Sequence, residues 1–328
     1  MKAQSTMKHR RMQHRSLFQT ALASLLSALL LAPLGQAQES EAPDLSADLR
    51  AHAGRAIAYA DIDRASLEAV TTPDRLMRVA QGGFAPTEIW RALEHGEKVE
   101  CLDCIPVVSE LLFDDDAKTR EISAWWLRRR IFGVFGPGQV YSKLVAALSD
   151  PNVSEKRRAY AAEALGEFLS AAGNRHVALA SVADPSPLVR LGAVRALERL
   201  NTVGPNAELA VALSDPDEQV RLAALRASTR VNVFRDVDQV VARIDDASSA
   251  VRTRAIEALG AFRALDAVVA IIAKLSPDNE AAPSVRAAAA AALGEIGDPA
   301  ARPAVQAAYD TDRDRFVRDA AAIALRRL

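Results

Sequence analysis

Apolar and small residues return along this chain at fixed distances behind a recurring arginine. The arginines are Arg120, Arg158, Arg190, Arg221, Arg252, Arg286 and Arg318, at intervals of 38, 32, 31, 31, 34 and 32 residues. Valine precedes the later ones, at Val189, Val220, Val251, Val285 and Val317. Three residues after each arginine stands Ser123, Ala161, Ala193, Ala224, Ala255, Ala289 or Ala321. Seven residues after it stands Leu127, Leu165, Leu197, Ser228, Leu259, Leu293 or Leu325. Offsets of 3 and 7, with Val194, Leu225 or Ile256 at 4, describe one buried face of an α-helix.

Ahead of each arginine lies an acidic turn: 114–116, Asp150-Pro151, Asp184-Pro185, Asp215-Pro216, Asp245-Asp246, Asp278-Asn279 and Asp310. These aspartates are predicted to cap the following helices, with proline in the first turn. Asp215 to Glu218 has the spacing of a capping box. Gly173, Gly204 and Gly297 are predicted left-handed caps between units. A shorter apolar stretch precedes each turn, such as Leu144, Val145 and Leu148, or Val268, Val269, Ile271 and Ile272. Each unit is therefore predicted to be a helix, an acidic turn and a second helix. One unit cannot bury its apolar face alone, but stacked units share a continuous core.

The run Asp-Pro, Val-Arg, Ala-Ala, Ala-Leu-Gly resembles the short HEAT-like repeats named after phycobilisome lyases. Residues 245–260 and 284–297 carry it most fully. The resemblance covers residues 105–328 and implies an all-α, right-handed α-solenoid of about seven helix-turn-helix repeats. It speaks for the fold and says little about chemistry. Residues 48–104 do not keep the register. Segments 49–60, 73–79 and 86–95 are predicted helices of an N-terminal cap, which a repeat stack needs to cover its open side. Residues 130–138 form a glycine-rich insertion.

The first residues read differently. Lys2, Lys8, Arg10, Arg11 and Arg15 precede an apolar run over 17–34, and Gly35 and Ala37 suit cleavage after Ala37. Residues 1–37 are thus predicted to be a signal peptide and 38–47 a linker, which implies an exported bacterial form, periplasmic or secreted. Beyond that segment nothing is apolar for long enough to span a bilayer. From Gln38 onward 36 Lys and Arg face 42 Asp and Glu, a net charge of −6. That balance argues against nucleic acid and against a polybasic membrane surface.

Cys101 and Cys104 are the only cysteines. In an oxidising compartment a disulfide is the first expectation. Disulfide exchange with a client is an alternative, and a zinc site would need ligands that the neighbourhood of His95 does not supply. The seven arginines are expected to bond the acidic turns of their own or neighbouring units and hold repeat geometry. Within the aromatic group Trp125, Trp126, Phe132, Phe135 and Tyr141, packing accounts for most members. Trp125, however, shares a column with Glu163, Arg195, Arg226 and Glu257, whose charges face solvent. These residues are the expected contacts for another protein or peptide, with Trp125 as anchor. No catalytic set, metal or cofactor is expected. Deoxyhypusine hydroxylase resembles this chain in repeat length, yet His52, His95 and His176 lack the following Glu its metal sites require. The reading at this stage is a non-catalytic scaffold or adaptor of the cell envelope. A redox accessory protein and a lyase- or hydroxylase-like enzyme are the alternatives.

Overall fold

The computed structural model describes residues 72–99, 101–131, 138–168, 174–201, 206–231 and 234–328. The signal-peptide, linker and first cap-helix assignments, and positions 132–137 of the insertion, lie outside the described residues. The chain divides into two units, 1–62 and 63–328, and all described residues belong to the second.

Among the described residues, helices α1 (Pro73–Ala80) and α2 (Pro86–His95) come first. They match two of the predicted cap helices. Seven pairs follow: α3 (Cys104–Glu110) and α4 (Ala117–Ile131), α5 (Gly138–Ser149) and α6 (Glu155–Glu167), α7 (Asn174–Ala183) and α8 (Pro187–Leu200), α9 (Asn206–Ala212) and α10 (Glu218–Arg230), α11 (Val237–Val241) and α12 (Ser249–Phe262), α13 (Val268–Ala273) and α14 (Pro283–Ile296), and α15 (Arg302–Thr311) and α16 (Arg315–Leu325). There is no strand among the described residues. Each second helix packs on its own first helix and on the second helix of the next pair.

The column residues explain that packing. The residue three after each arginine is fully buried in every unit, and the residue seven after it is buried in all but the last. Two serines stand in these columns, and each satisfies its hydroxyl within its own helix. Ser123 donates to the Thr119 carbonyl at 2.7 Å, and Ser228 to the Leu225 carbonyl at 2.8 Å. Small residues let second helices approach closely. A Cβ on Gly166 would lie 2.6 Å from Ala196 Cα, and one on Gly294 would lie 2.7 Å from Ala324 Cα. In both units the glycine follows its arginine by eight and the facing alanine follows the next arginine by six.

Gly294→Ala is therefore expected to destabilise the chain. Helix propensity favours Ala over Gly by about 1 kcal/mol. Forcing a methyl against a neighbouring backbone costs roughly 1–3 kcal/mol, and the Ala324 backbone cannot rotate away. A lowered urea midpoint with unchanged slope checks this, whereas a raised midpoint would mean that the helices separate without cost.

The acidic turns form a ladder that differs in detail from the expectation. The working acid sits six residues before the arginine, and it is not the helix cap. It accepts the backbone N–H of the residue two ahead: Ser186 on Asp184 at 2.9 Å, Asp217 on Asp215 at 2.8 Å, Ser248 on Asp246 at 3.0 Å, Ala282 on Glu280 at 2.9 Å and Asp314 on Asp312 at 2.8 Å. Asp217, not Asp215, caps α10, accepting from the Gln219 and Val220 amides. Asp278 and Asp310 give way to Glu280 and Asp312 for the same positional reason. Among the expected left-handed caps, Gly297 has φ 79°, while Asn201 at φ 43° ends α8. Gly173 and Gly204 lie outside the described residues.

Five of the arginines then span two units. In each, Nη1 donates to carbonyls of its own turn, and the remaining nitrogens reach the acid of the next. Arg190 bonds the Asp184 and Pro185 carbonyls and holds Asp215 through Nε at 2.7 Å and Nη2 at 2.9 Å. Arg158 pairs likewise with Asp184, Arg221 with Asp246, Arg252 with Glu280 and Arg286 with Asp312. Bidentate pairing of this kind fixes angle as well as distance, so it sets the rotation from one unit to the next. Arg318 bonds the Asp312 and Arg313 carbonyls.

Candidate functional site

Arg120 breaks the ladder, and the break shapes the site. Six residues before Arg158 stands Asn152, which carries no charge. Arg120 keeps its own turn, donating to the Asp114 and Asp115 carbonyls. Its Nη2 turns to Glu163, 3.2 Å away, while the guanidinium lies 3.7 Å over the Tyr160 ring. One rung of the ladder is thereby redirected onto the open face of the second helices.

There α4, α6, α8 and α10 line a cleft of about 770 Å³. The helical period brings the positions five, eight and nine after each arginine to this face. Position five supplies Glu163, Arg195 and Arg226, and position nine supplies Glu167, Arg199 and Arg230. Position eight is glycine in three units, Gly166, Gly260 and Gly294, and Arg128, Thr229 or Arg326 in three others, while in α8 it is Glu198.

The charges are cross-linked between helices. Glu163 accepts from Arg120 on one side and from Arg195 at 3.1 Å on the other. Glu198, with a side chain only 5 % exposed, accepts from Arg226 Nε at 3.0 Å and Arg230 Nη1 at 2.8 Å. Glu167 pairs with Arg199. Burial pushes the Glu167 carboxyl above its ordinary value, with Arg199 opposing that effect. The floor between these groups is apolar and small, built from Ala124, Ala164 and Ala196.

Three of the expected contact residues, Glu163, Arg195 and Arg226, therefore meet in one cleft. Trp125 does not line it. Its ring is half-buried against the N-terminal part of the core, with the Arg129 guanidinium 5.4 Å from its centroid. Position five of α4 is half-buried against that core, on the helix that α2 packs against. Glu257 also stands apart, one unit beyond the cleft, exposed and paired with Arg254 of its own helix at 3.0 Å. Glu198, Glu167, Arg199, Arg230 and Arg120 were missed as cleft residues. The one carboxylate in a column that is glycine in three units was the available signal for Glu198.

Cys101 and Cys104 are joined in a disulfide, with Cα atoms 5.3 Å apart, at the entry to α3. Cys104 is fully buried and Cys101 is 9 % exposed, so solvent reaches little of the bond. Among the described residues no three His, Cys, Asp or Glu side chains converge as a metal site would require. No helix among them is long and apolar enough to cross a membrane.

An all-helical stack of paired helices, tied by an arginine–carboxylate ladder, defines a helical-repeat solenoid. Within it, residues 237–326 match the family described as HEAT repeats, so this part of the chain carries HEAT-like repeats. YibA of E. coli is similar in structure at 19% identity and a TM-score of 0.53, over 81% of this chain and 96% of that one. A chain of the Kap95p–RanGDP structure gives 13% identity and 0.52, over 80% and 43%. Human deoxyhypusine hydroxylase, in complex with glycerol, reaches 23% identity over 78% and 95%, but its TM-score of 0.34 carries no argument. No curated protein matches the sequence.

Proposed function

We propose that this chain is a non-catalytic scaffold of the cell envelope that recognises another protein through the cleft lined by α4, α6, α8 and α10. The observation that carries the reading is the cleft itself. It places half-exposed guanidiniums, each already oriented by a glutamate, over a floor of small apolar residues. Pre-oriented side chains lose less freedom on binding, which favours recognition. Every charge there is paired with another, so the site holds no activated base beside a nucleophile. Kap95p, a protein of similar fold, binds RanGDP, and that use of a repeat surface is in keeping with the proposal. The envelope location rests on the cationic start and apolar run of residues 1–37.

The test is affinity capture from the native host, run without reductant, with partners identified by mass spectrometry. A cleft variant, Arg195→Glu, is compared with Trp125→Ala and with the double variant Cys101→Ser, Cys104→Ser. The expected result is a partner retained by the wild type, the tryptophan variant and the cysteine variant, and lost by Arg195→Glu. Loss in the cysteine variant alone would transfer the function to the disulfide.

A further inference from the structure

We infer that the segment taken up by this cleft is acidic: an extended stretch of a partner protein with two carboxylates about three residues apart. The inference rests on the reading of the cleft as the binding surface and adds the chemistry of its ligand.

Two clusters carry it. In each, one glutamate stands between two arginines: Glu163 between Arg120 and Arg195, and Glu198 between Arg226 and Arg230. Each cluster therefore keeps a formal charge of +1. Counted over the whole lining, six cations face four carboxylates, although the chain as a whole is at −1. A guanidinium offers five N–H donors. Arg195, Arg226 and Arg230 each give one or two to a glutamate, and their side chains are 48%, 46% and 68% exposed. The donors left over face the cleft mouth, and a carboxylate is the group that a planar guanidinium pairs with best.

Glu198 gives this arrangement a purpose. Its column is glycine in three units, Gly166, Gly260 and Gly294, where the helices approach closely, and it holds no other carboxylate. Here a nearly buried carboxylate holds Arg226 and Arg230 side by side against their mutual repulsion, ready for a second anion. The spacing between clusters follows from the fold. They sit on successive second helices, whose axes pack about 8–10 Å apart. A chain in the polyproline II conformation rises about 3.1 Å per residue with about three residues per turn, so carboxylates three residues apart share one face and meet both clusters. Small residues between them fit the floor of Ala164 and Ala196. A nucleic-acid backbone fits less well, because its unbroken phosphates would also lie against Glu163 and Glu121.

The experiment is fluorescence anisotropy with the full chain and a labelled twelve-residue peptide of Ala and Ser carrying Glu at every third position. Its isostere with Gln at those positions and an oligothymidylate of equal charge serve as competitors. The Glu peptide should bind at least tenfold tighter than the Gln peptide and weaken with salt. Glu198→Gly removes the carboxylate that holds Arg226 and Arg230 side by side, so it should bind the Glu peptide more weakly than the wild type. Glu198→Gly combined with Arg226→Gln and Arg230→Gln leaves no orphaned charge and should fall to the level of the Gln peptide, with an unchanged helical spectrum. Equal binding of Glu and Gln peptides, or equal competition by the oligothymidylate, overturns the inference. If a captured partner is still lost in Arg195→Glu while the Glu peptide fails, the acidic ligand falls and the cleft reading stands. If capture ignores the cleft variants, the cleft reading itself falls.

Discussion

Arg286→Ala is expected to destabilise the chain by about 3–5 kcal/mol, because it strands a buried carboxylate. The Asp312 side chain is 1 % exposed and receives Arg286 Nε at 2.7 Å and Nη2 at 3.1 Å. The same guanidinium closes the Glu280 and Ala281 carbonyls at 3.0 Å each. Truncation leaves all of these without their donor. Adding Asp312→Asn should recover a good part of the loss, since the amide is uncharged and its oxygen still accepts the Asp314 amide. The pH dependence has a definite sign. The Arg286 bond holds the Asp312 carboxyl below its ordinary value, and burial only partly opposes that. Its stabilisation is present in full above the ordinary carboxylate range and is lost as pH falls through the depressed value. The gap between wild type and Arg286→Ala should therefore be widest near neutrality and narrow in acid. Urea unfolding at several pH values measures it, and a gap that is small and constant would mean that the ladder sets register without adding stability.

This ladder also shows how far the sequence could be read. The columns at three and seven behind each arginine were legible because burial in a helix obeys a rigid period, and no neighbour can move Ala255 or Leu259 off that face. The acids were harder to assign. Acidic residues are plentiful in every turn, and composition does not tell Asp278 from Glu280 or Asp310 from Asp312. Position does, since the working acid stands six before its arginine in each case. Reading that column would also have exposed Asn152 and, through it, the diversion of Arg120 to Glu163.

The cleft was half legible for a different reason. Glu163, Arg195 and Arg226 follow from helical phase alone. Trp125 has the same phase, but what covers a surface depends on elements that do not share the repeat, and here α2 lies against α4. Glu198 is a departure from the repeat rather than an instance of it. Such departures carry information about function because the shared fold does not require them. A nearly buried carboxylate in a column that elsewhere holds glycine or an arginine or threonine is not required by the stack, so something other than the stack must retain it.

The second large effect is expected at Arg130, a residue that sequence alone placed at the start of a glycine-rich insertion. It is in fact the buried end of α4. Its Nη2 donates to the Gly96, Glu97 and Val99 carbonyls at 2.9, 2.7 and 2.8 Å, and its Nη1 to the Trp126 carbonyl at 2.9 Å. The guanidinium lies 3.5 Å from the centroid of the buried Trp126 ring, whose Nε1 also donates to Gly96. One side chain thus closes the turn between α2 and the disulfide. Arg130→Met keeps the apolar stem but removes the guanidinium donors. Gly96 keeps the Trp126 indole and the Val99 amide, while each carbonyl left without a donor costs about 1–3 kcal/mol before water enters. Partial hydration offsets part of that, so a net loss of about 3 kcal/mol is expected. Arg130→Lys should fall between, because an ammonium keeps the charge but cannot span the same carbonyls in one plane. The effect should be local. Native-state hydrogen exchange should accelerate at the amides of residues 92–99 and leave α12 and α14 protected, since contacts in a repeat stack run only between neighbours. Uniform acceleration along the chain would show that the N-terminal helices and the repeats unfold as one cooperative body. A variant within about 0.5 kcal/mol of wild type would show that water replaces the guanidinium at little cost.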